Sequence, residues 1–189
     1  MIVLTGEGEQ AFCTGGDVKE YADTYLKRPH DYWKYMAAFS DVVEGLTKSG
    51  KPTIARINGM AVGGGNELSL ACDLAIAADH ARFRQVGVQV GSVAAGGATQ
   101  WLGLTIGERR ARQMLMTCEW VDAQTALAWG LVNEVVPPAE LHAAVARLPP
   151  TLLAPFPASL RSTAGPASSP QASARSPPIP PRHEYPRPP

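Results

Sequence analysis

Residues 57–73 read INGMAVGGGNELSLACD. Three consecutive glycines, Gly63 to Gly65, end one apolar run and lead through Asn66 and Glu67 into a second. Glycine reaches backbone angles closed to other residues and leaves its amide bare, at a cost of about 0.5–1 kcal/mol in ordered structure. Three of them at a strand-to-helix junction imply a turn that admits a ligand or another chain segment, with a carboxylate close behind. A second stretch, AFCTGGDVKE at residues 11–20, repeats the arrangement: an apolar run, Gly15 and Gly16, then an acid.

Working outward, TIARIN before the three glycines and DLAIAAD after LSLACD are strand-like, and MIVLT at the start is a short apolar run closed by Gly6 and Gly8. Tyr32 to Leu46 carries apolar side chains at helical spacing and is stopped by Lys51-Pro52. Asp17 with Glu20 has the spacing of a helix N-cap and its reciprocal acid. Gly96 to Trp101, Glu108 to Met116, Asp122 to Trp129 and Pro138 to Arg147 read as helices, with LVNEVV as a strand between the last two. Alternating strands and helices predict an α/β fold around one core.

The chain has 189 residues, of which 45% are hydrophobic, and 17 basic side chains balance 17 acidic ones. Zero net charge provides no long-range attraction for nucleic acid or anionic lipid, so neither is expected as a partner. Cys13, Cys72 and Cys118 lie far apart without a CxxC pair, and His30, His80, His142 and His183 share no metal-like spacing. No metal site is expected, and reduced cysteines point to the cytoplasm. MIVLTGEGEQ lacks a basic leader, and no run of about 18 apolar residues occurs.

Both glycine stretches place backbone N–H groups at the start of a helix, where partial positive charge favours an anion. Two converging N–H groups make an oxyanion hole, and removal of one such donor typically costs about 2.7–4 kcal/mol of transition-state stabilisation. Glu67 would stand near the same oxygen, able to move a proton at the adjacent carbon once burial raises its pKa. Spacing alone leaves a plain alternative open: glycine-rich turns often only turn the chain, and an acid in a first helical turn is favoured by the dipole. Neither stretch fits the dinucleotide or phosphate-loop glycine signatures.

The blocks IVLTGEGEQAFCTGGDVKE, KPTIARINGMAVGGGNELSLACDLAIAAD, GGATQWL and ALAWGLVNEVVP resemble, in order and spacing, the crotonase superfamily of enoyl-CoA hydratases and isomerases. The resemblance covers residues 2–148 and implies a spiral of ββα units, a homotrimer or a hexamer of two trimers, and an acyl-CoA thioester as substrate. It assigns the thioester oxygen to the N–H groups of Gly16 and Gly64. Glu67 matches the first catalytic glutamate, and Gly16, Asp17, Val18 and Lys19 match the segment that lies against CoA. No cofactor is implied beyond the CoA of the substrate. Some family members bind RNA through a basic helix, but here Lys19, Lys27, Arg28 and Lys34 alternate with Glu20, Asp23 and Asp31.

One departure matters for the reaction. Family hydratases carry a second glutamate after a proline where this chain, in FRQVGVQVGS, has Val86-Gly87. The expected chemistry therefore uses Glu67 as its single acid/base. Gly87 followed by GSVAAGGATQWL resembles a subgroup acting on cyclic or dicarboxylic acyl-CoAs, including ring-opening hydrolases of cyclic oxo-acyl-CoAs. Other hydratase/isomerase-family reactions, and an inactive fragment that serves only oligomer assembly, are the alternatives.

The domain expectation is a core at residues 1–148, a remnant of the C-terminal helical region at 149–162 and a disordered Pro/Ser-rich tail at 163–189. Thirteen of the 17 prolines follow Leu148. Against the family pattern an N-terminal strand and helix are expected to be missing and the C-terminal helices replaced, as a shifted reading frame would produce. Asp17 is expected to act as a cap, Asp73 as a structural residue, and Trp101, Trp120 and Trp129 as core or interface aromatics.

Overall fold

A computed structural model describes residues 1–153 of the chain. The expected tail at 163–189 lies outside the described residues. The expected remnant is described only as far as Leu153, within the helix Leu148–Leu153.

Eight strands form two four-stranded sheets. The first holds β1 (Ile2–Thr5), β3 (Thr53–Ile57), β5 (Leu74–Ala78) and β8 (Glu134–Val136) in that order, all parallel. The second holds β2 (Ala11–Cys13), β4 (Met60–Val62), β6 (Arg82–Arg84) and β7 (Val121–Asp122), parallel except for the antiparallel β6–β7 pair. Successive strands thus alternate between sheets: β1 and β2, β3 and β4, β5 and β6 each supply one strand to each sheet. A helical segment follows each pair, and this is the spiral of ββα units that the sequence leads one to expect.

The helices are α1 (Val18–Glu20), α2 (Pro29–Thr47), α3 (Gly64–Ala71), α4 (Ala98–Ile106), α5 (Glu108–Thr117), α6 (Ala123–Trp129), α7 (Leu141–Ala146) and α8 (Leu148–Leu153). A π-helical turn, Tyr21–Tyr25, joins α1 to the segment leading into α2. Among the described residues no helix is long and apolar enough to cross a membrane.

The central strands β3 and β5 of the first sheet are buried on both faces, which explains their continuous apolar runs. In β5, Ala75 and Ala77 face a cluster shared with Phe12, Ile57, Phe83, Leu102 and Met114, whereas Ile76 and Ala78 face Ile54, Val136, Leu141 and Val145. Small alanines on the first side let the second sheet approach. On the other side, full burial of an isoleucine such as Ile76 contributes roughly 1.5–3 kcal/mol.

Some expected boundaries shift for physical reasons. The helix expected from LSLACD begins earlier, at Gly64, because the glycines themselves form its first turn. The helix expected from Gly96 begins at Ala98, since Gly97 has φ 116° and cannot be helical. Pro138–Glu140 winds as a 3-10 turn before α7. Asp17 Oδ1 accepts from the N–H groups of Lys19 and Glu20, but Glu20 does not reach back, because its carboxylate takes the Tyr25 hydroxyl at 3.0 Å. Asp73 is structural as expected: its Oδ2 accepts from both the N–H and the hydroxyl of Thr53 at 2.7 Å, tying the end of α3 to β3. His30, His80 and His142 are exposed. His80 Nε2 also lies 2.9 Å from the carbonyl of Glu9 and 3.2 Å from that of Asn58, bridging two turns.

Candidate functional site

Each of the three glycines meets a different steric demand. Gly63 has φ 55° and ψ −118°, a conformation closed to side-chain-bearing residues, and its N–H is held by the carbonyl of Arg84. Gly64 follows as the first residue of α3, where N–H groups have no partner within the helix. A methyl group on Gly64 would lie 3.3 Å from Phe39 Cζ and 3.5 Å from Gly15 Cα. A methyl group on Gly65 would collide with the carbonyl oxygen of Cys13, so this glycine is what lets α3 lie on β2.

The second glycine stretch folds onto the first. Gly15 has φ 85°, and the position of its absent Cβ is 3.1 Å from the carbonyl oxygen of Val62 and 3.2 Å from the nitrogen of Gly64. The turns carrying Gly16 and Gly64 are therefore neighbours, although 48 positions separate the two residues (64 − 16). Asp17, Val18 and Lys19 follow at the mouth of α1, all exposed. Asp17 is committed to capping, and Val18 leaves 58% of its surface uncovered.

Glu67 closes the first turn of α3 through its N–H to the carbonyl of Gly63 at 3.1 Å. Only 4% of Glu67 is exposed, and its Oε1 accepts from Ala98 N–H at 3.2 Å, at the start of α4. Burial pushes the carboxyl up from 4.5 to about 7, against the opposing pull of the backbone N–H groups of Ala98 and Gly96. Desolvation outweighs two favourable donors, and the result is a carboxyl that titrates near neutral pH.

The partners of Glu67 are not legible in the sequence. GGATQWL carries a signal that becomes readable only in three dimensions: the absent Cβ of Gly96 falls 2.7 Å from Glu67 Oε2 and against Phe39. Gly96 is glycine so that the carboxylate can sit at the α4 N-terminus. Phe39 projects from α2 and packs over Gly64 and Gly96.

Gly87, which stands in place of a second acid, opens a 3-10 turn, Gly87–Val90. A side chain there would start 2.8 Å from the carbonyl oxygen of Ser92. Backbone thus already occupies the space where a side chain at position 87 would begin. Val86 stays close to the site, with its Cγ2 3.5 Å from the position of the absent Gly63 Cβ. A separate groove of about 180 Å³ is lined by Gln113, Trp120, Asp122, Thr125 and Trp129, and none of these belongs to the Glu67 cluster. Its tryptophans are covered by guanidinium groups, Arg82 at 4.6 Å from the Trp120 ring and Arg110 at 5.5 Å from that of Trp129.

A family model described as enoyl-CoA hydratase/isomerase matches residues 1–164. Among curated relatives, a 6-oxocyclohex-1-ene-1-carbonyl-CoA hydrolase of Geobacter metallireducens is 45% identical over 136 residues, covering 72% of this chain and 36% of the relative. One from Thauera aromatica is 43% identical over the same coverage of 72% and 36%. The chain thus spans 36% of the length of these relatives. Among solved structures, an enoyl-CoA hydratase from Bacillus anthracis aligns with a TM-score of 0.81 and 34% identity, covering 86% of this chain and 62% of that one. Pseudomonas aeruginosa DspI aligns with a TM-score of 0.78 and 35% identity, covering 86% and 61%.

Proposed function

The chain belongs to the enoyl-CoA hydratase/isomerase family, and from that premise we propose that it acts on an acyl-CoA thioester through an enolate-like intermediate, with Glu67 as its single acid/base. The observation that carries this reading is the Glu67 carboxyl: buried, held at the N-terminus of α4, titrating near 7 and set beside the paired turns of Gly16 and Gly64.

In this reading the N–H groups of Gly16 and Gly64 hold the thioester oxygen as it gains charge. Glu67 then takes a proton from, or returns one to, the carbon next to the carbonyl. The segment Gly16 to Lys19, exposed from Asp17 onward, lies along the CoA, and no cofactor is needed beyond the CoA that the substrate carries. A hydratase of two acids is disfavoured by the Ser92 carbonyl packed against Gly87. Hydrolysis of a cyclic oxo-acyl-CoA fits better, and the names of the curated relatives support that choice. A trimeric assembly and a cytoplasmic setting belong to the same reading.

Turnover of a cyclic oxo-enoyl-CoA and of a linear 2-enoyl-CoA, by the native chain and by Glu67→Gln, tests it. The expected result is turnover of the cyclic thioester that drops by roughly 10²-fold or more in the variant, the scale of general acid/base catalysis. Equal rates in the two proteins would remove Glu67 from the mechanism.

A further inference from the structure

Two tyrosine hydroxyls meet at the turn proposed to hold the thioester. Tyr21 comes from the π-helical turn and Tyr35 from α2, and the Tyr21 hydroxyl donates to Tyr35 Oη at 2.9 Å. The absent Cβ of Gly16 falls on Tyr21 Oη and lies 2.5 Å from Tyr35 Oη. Any residue larger than glycine at position 16 would displace both phenols.

The same face of α2 continues towards Glu67. Phe39, one turn beyond Tyr35, covers Gly64 and Gly96, so α2 lays Tyr35 and Phe39 along a line from Gly16 to the carboxylate. The phenols are braced by their neighbours. Tyr21 meets Tyr35 edge-on at 5.5 Å, Tyr25 lies 5.5 Å from Tyr35, and Tyr32 stacks on Tyr35 at 6.3 Å. Four interlocked rings hold the two hydroxyls in place at little further entropic cost on binding.

Donor counting gives the pair a use. Each phenol has one proton. In a mutual hydrogen bond one proton is consumed, and among the described residues no acceptor takes the other. Burial, reinforced by the bond to Tyr35, drives the Tyr21 pKa well above that of an ordinary tyrosine, so the proton that Tyr21 donates to Tyr35 stays on Tyr21, and the uncommitted proton is that of Tyr35. The hydroxyls stand where a Gly16 side chain would begin, beside the backbone proposed to hold the thioester carbonyl, a place for a second oxygen of the acyl group. A ring oxo group two bonds from the thioester carbon presents such an oxygen.

Resting on the acyl-thioester reading above, we propose that the Tyr21–Tyr35 hydroxyl pair is a specificity determinant that donates to a ring oxygen of a cyclic acyl group. The ligand class is a six-membered-ring acyl thioester bearing an oxo substituent next to the carbon that carries the thioester, with Phe39 packed against the ring. Linear acyl chains leave the phenolic proton without an acceptor and gain nothing from it.

The test is binding by the full chain in a Glu67→Gln background, where turnover is suppressed. Two probes are titrated, 6-oxocyclohex-1-ene-1-carbonyl-CoA and the same thioester without the oxo group, against the parent and against Tyr21→Phe and Tyr35→Phe. Each phenylalanine keeps the ring and removes only the hydroxyl, and melting curves confirm that both variants are folded. The expected result is that one or both variants weaken the oxo thioester about tenfold, equivalent to about 1.4 kcal/mol, and change the other by less than about twofold. Equal weakening of both probes, or of neither, overturns the inference and leaves the acyl-thioester reading standing. Failure of the parent and of the native chain to bind either probe overturns that reading, and the inference falls with it.

Discussion

Replacing Glu67 with glutamine changes the pH dependence of stability in a calculable way. The folded carboxyl titrates at about 7, against 4.5 as the ordinary value. Between these values the folded protein keeps a proton that the unfolded chain has released. Stability therefore falls as pH rises through the window from 4.5 to about 7, and the loss is complete above it. A difference of about 2.5 pK units corresponds to roughly 3 kcal/mol.

Glutamine is neutral throughout. Its carbonyl can still accept from Ala98, while the amide turned towards Gly96 forfeits one hydrogen bond at about 1 kcal/mol, independent of pH. The stability of Glu67→Gln relative to the native chain should accordingly grow by about 3 kcal/mol between about pH 4.5 and about pH 8. Urea unfolding at half-unit pH intervals measures this, because every other titrating group cancels in the difference. A difference constant within about 0.5 kcal/mol across the range would refute the reasoning, since it would mean that burial does not perturb the carboxyl.

Three other predictions follow from the same geometry. With Glu67 as base, kcat/KM should rise with pH along a limb with its midpoint near 7, set by burial, and a pH-rate profile lacking that limb removes the assignment. Gly65→Ala should lose about 1–3 kcal/mol or fail to fold because its methyl group meets the Cys13 carbonyl, whereas Gly45→Ala, in open space on α2, should gain up to about 1 kcal/mol; paired thermal melts compare them directly. Gly87→Glu should not create a two-acid hydratase and should destabilise the chain by about 1–3 kcal/mol, because its side chain begins against the Ser92 carbonyl. Hydration assays with a linear enoyl-CoA, together with melts, check both parts.

What could be read in advance was local. Gly63 to Gly65 and Glu67 were legible because a backbone with positive φ and a helix start write themselves into adjacent residues. The central strands of the first sheet were legible because burial on both faces leaves apolar runs such as LAIAA. The pairing of the second sheet was not. Its strands are two or three residues long, and their pairing, Ala11 with Met60 or Ala61 with Phe83, spans tens of positions. The expected return bond from Glu20 failed because Tyr25, five residues on, competes for that carboxylate.

The sequence by itself determined the α/β alternation, the two glycine turns, the acid at Glu67 and the lack of one at position 87, since each depends on residues within a few positions of one another. Only the tertiary structure decided what those parts do together. It carried Gly15 to within 3.2 Å of the Gly64 nitrogen, as judged from the position of the absent Cβ, and set Ala98 N–H against a carboxylate 31 residues away. It also brought two phenols against Gly16. The physical reason is that desolvation and hydrogen bonding act through space, so the shift of Glu67 to about 7 comes from helices and loops remote in the chain rather than from the GGGNE motif that contains it.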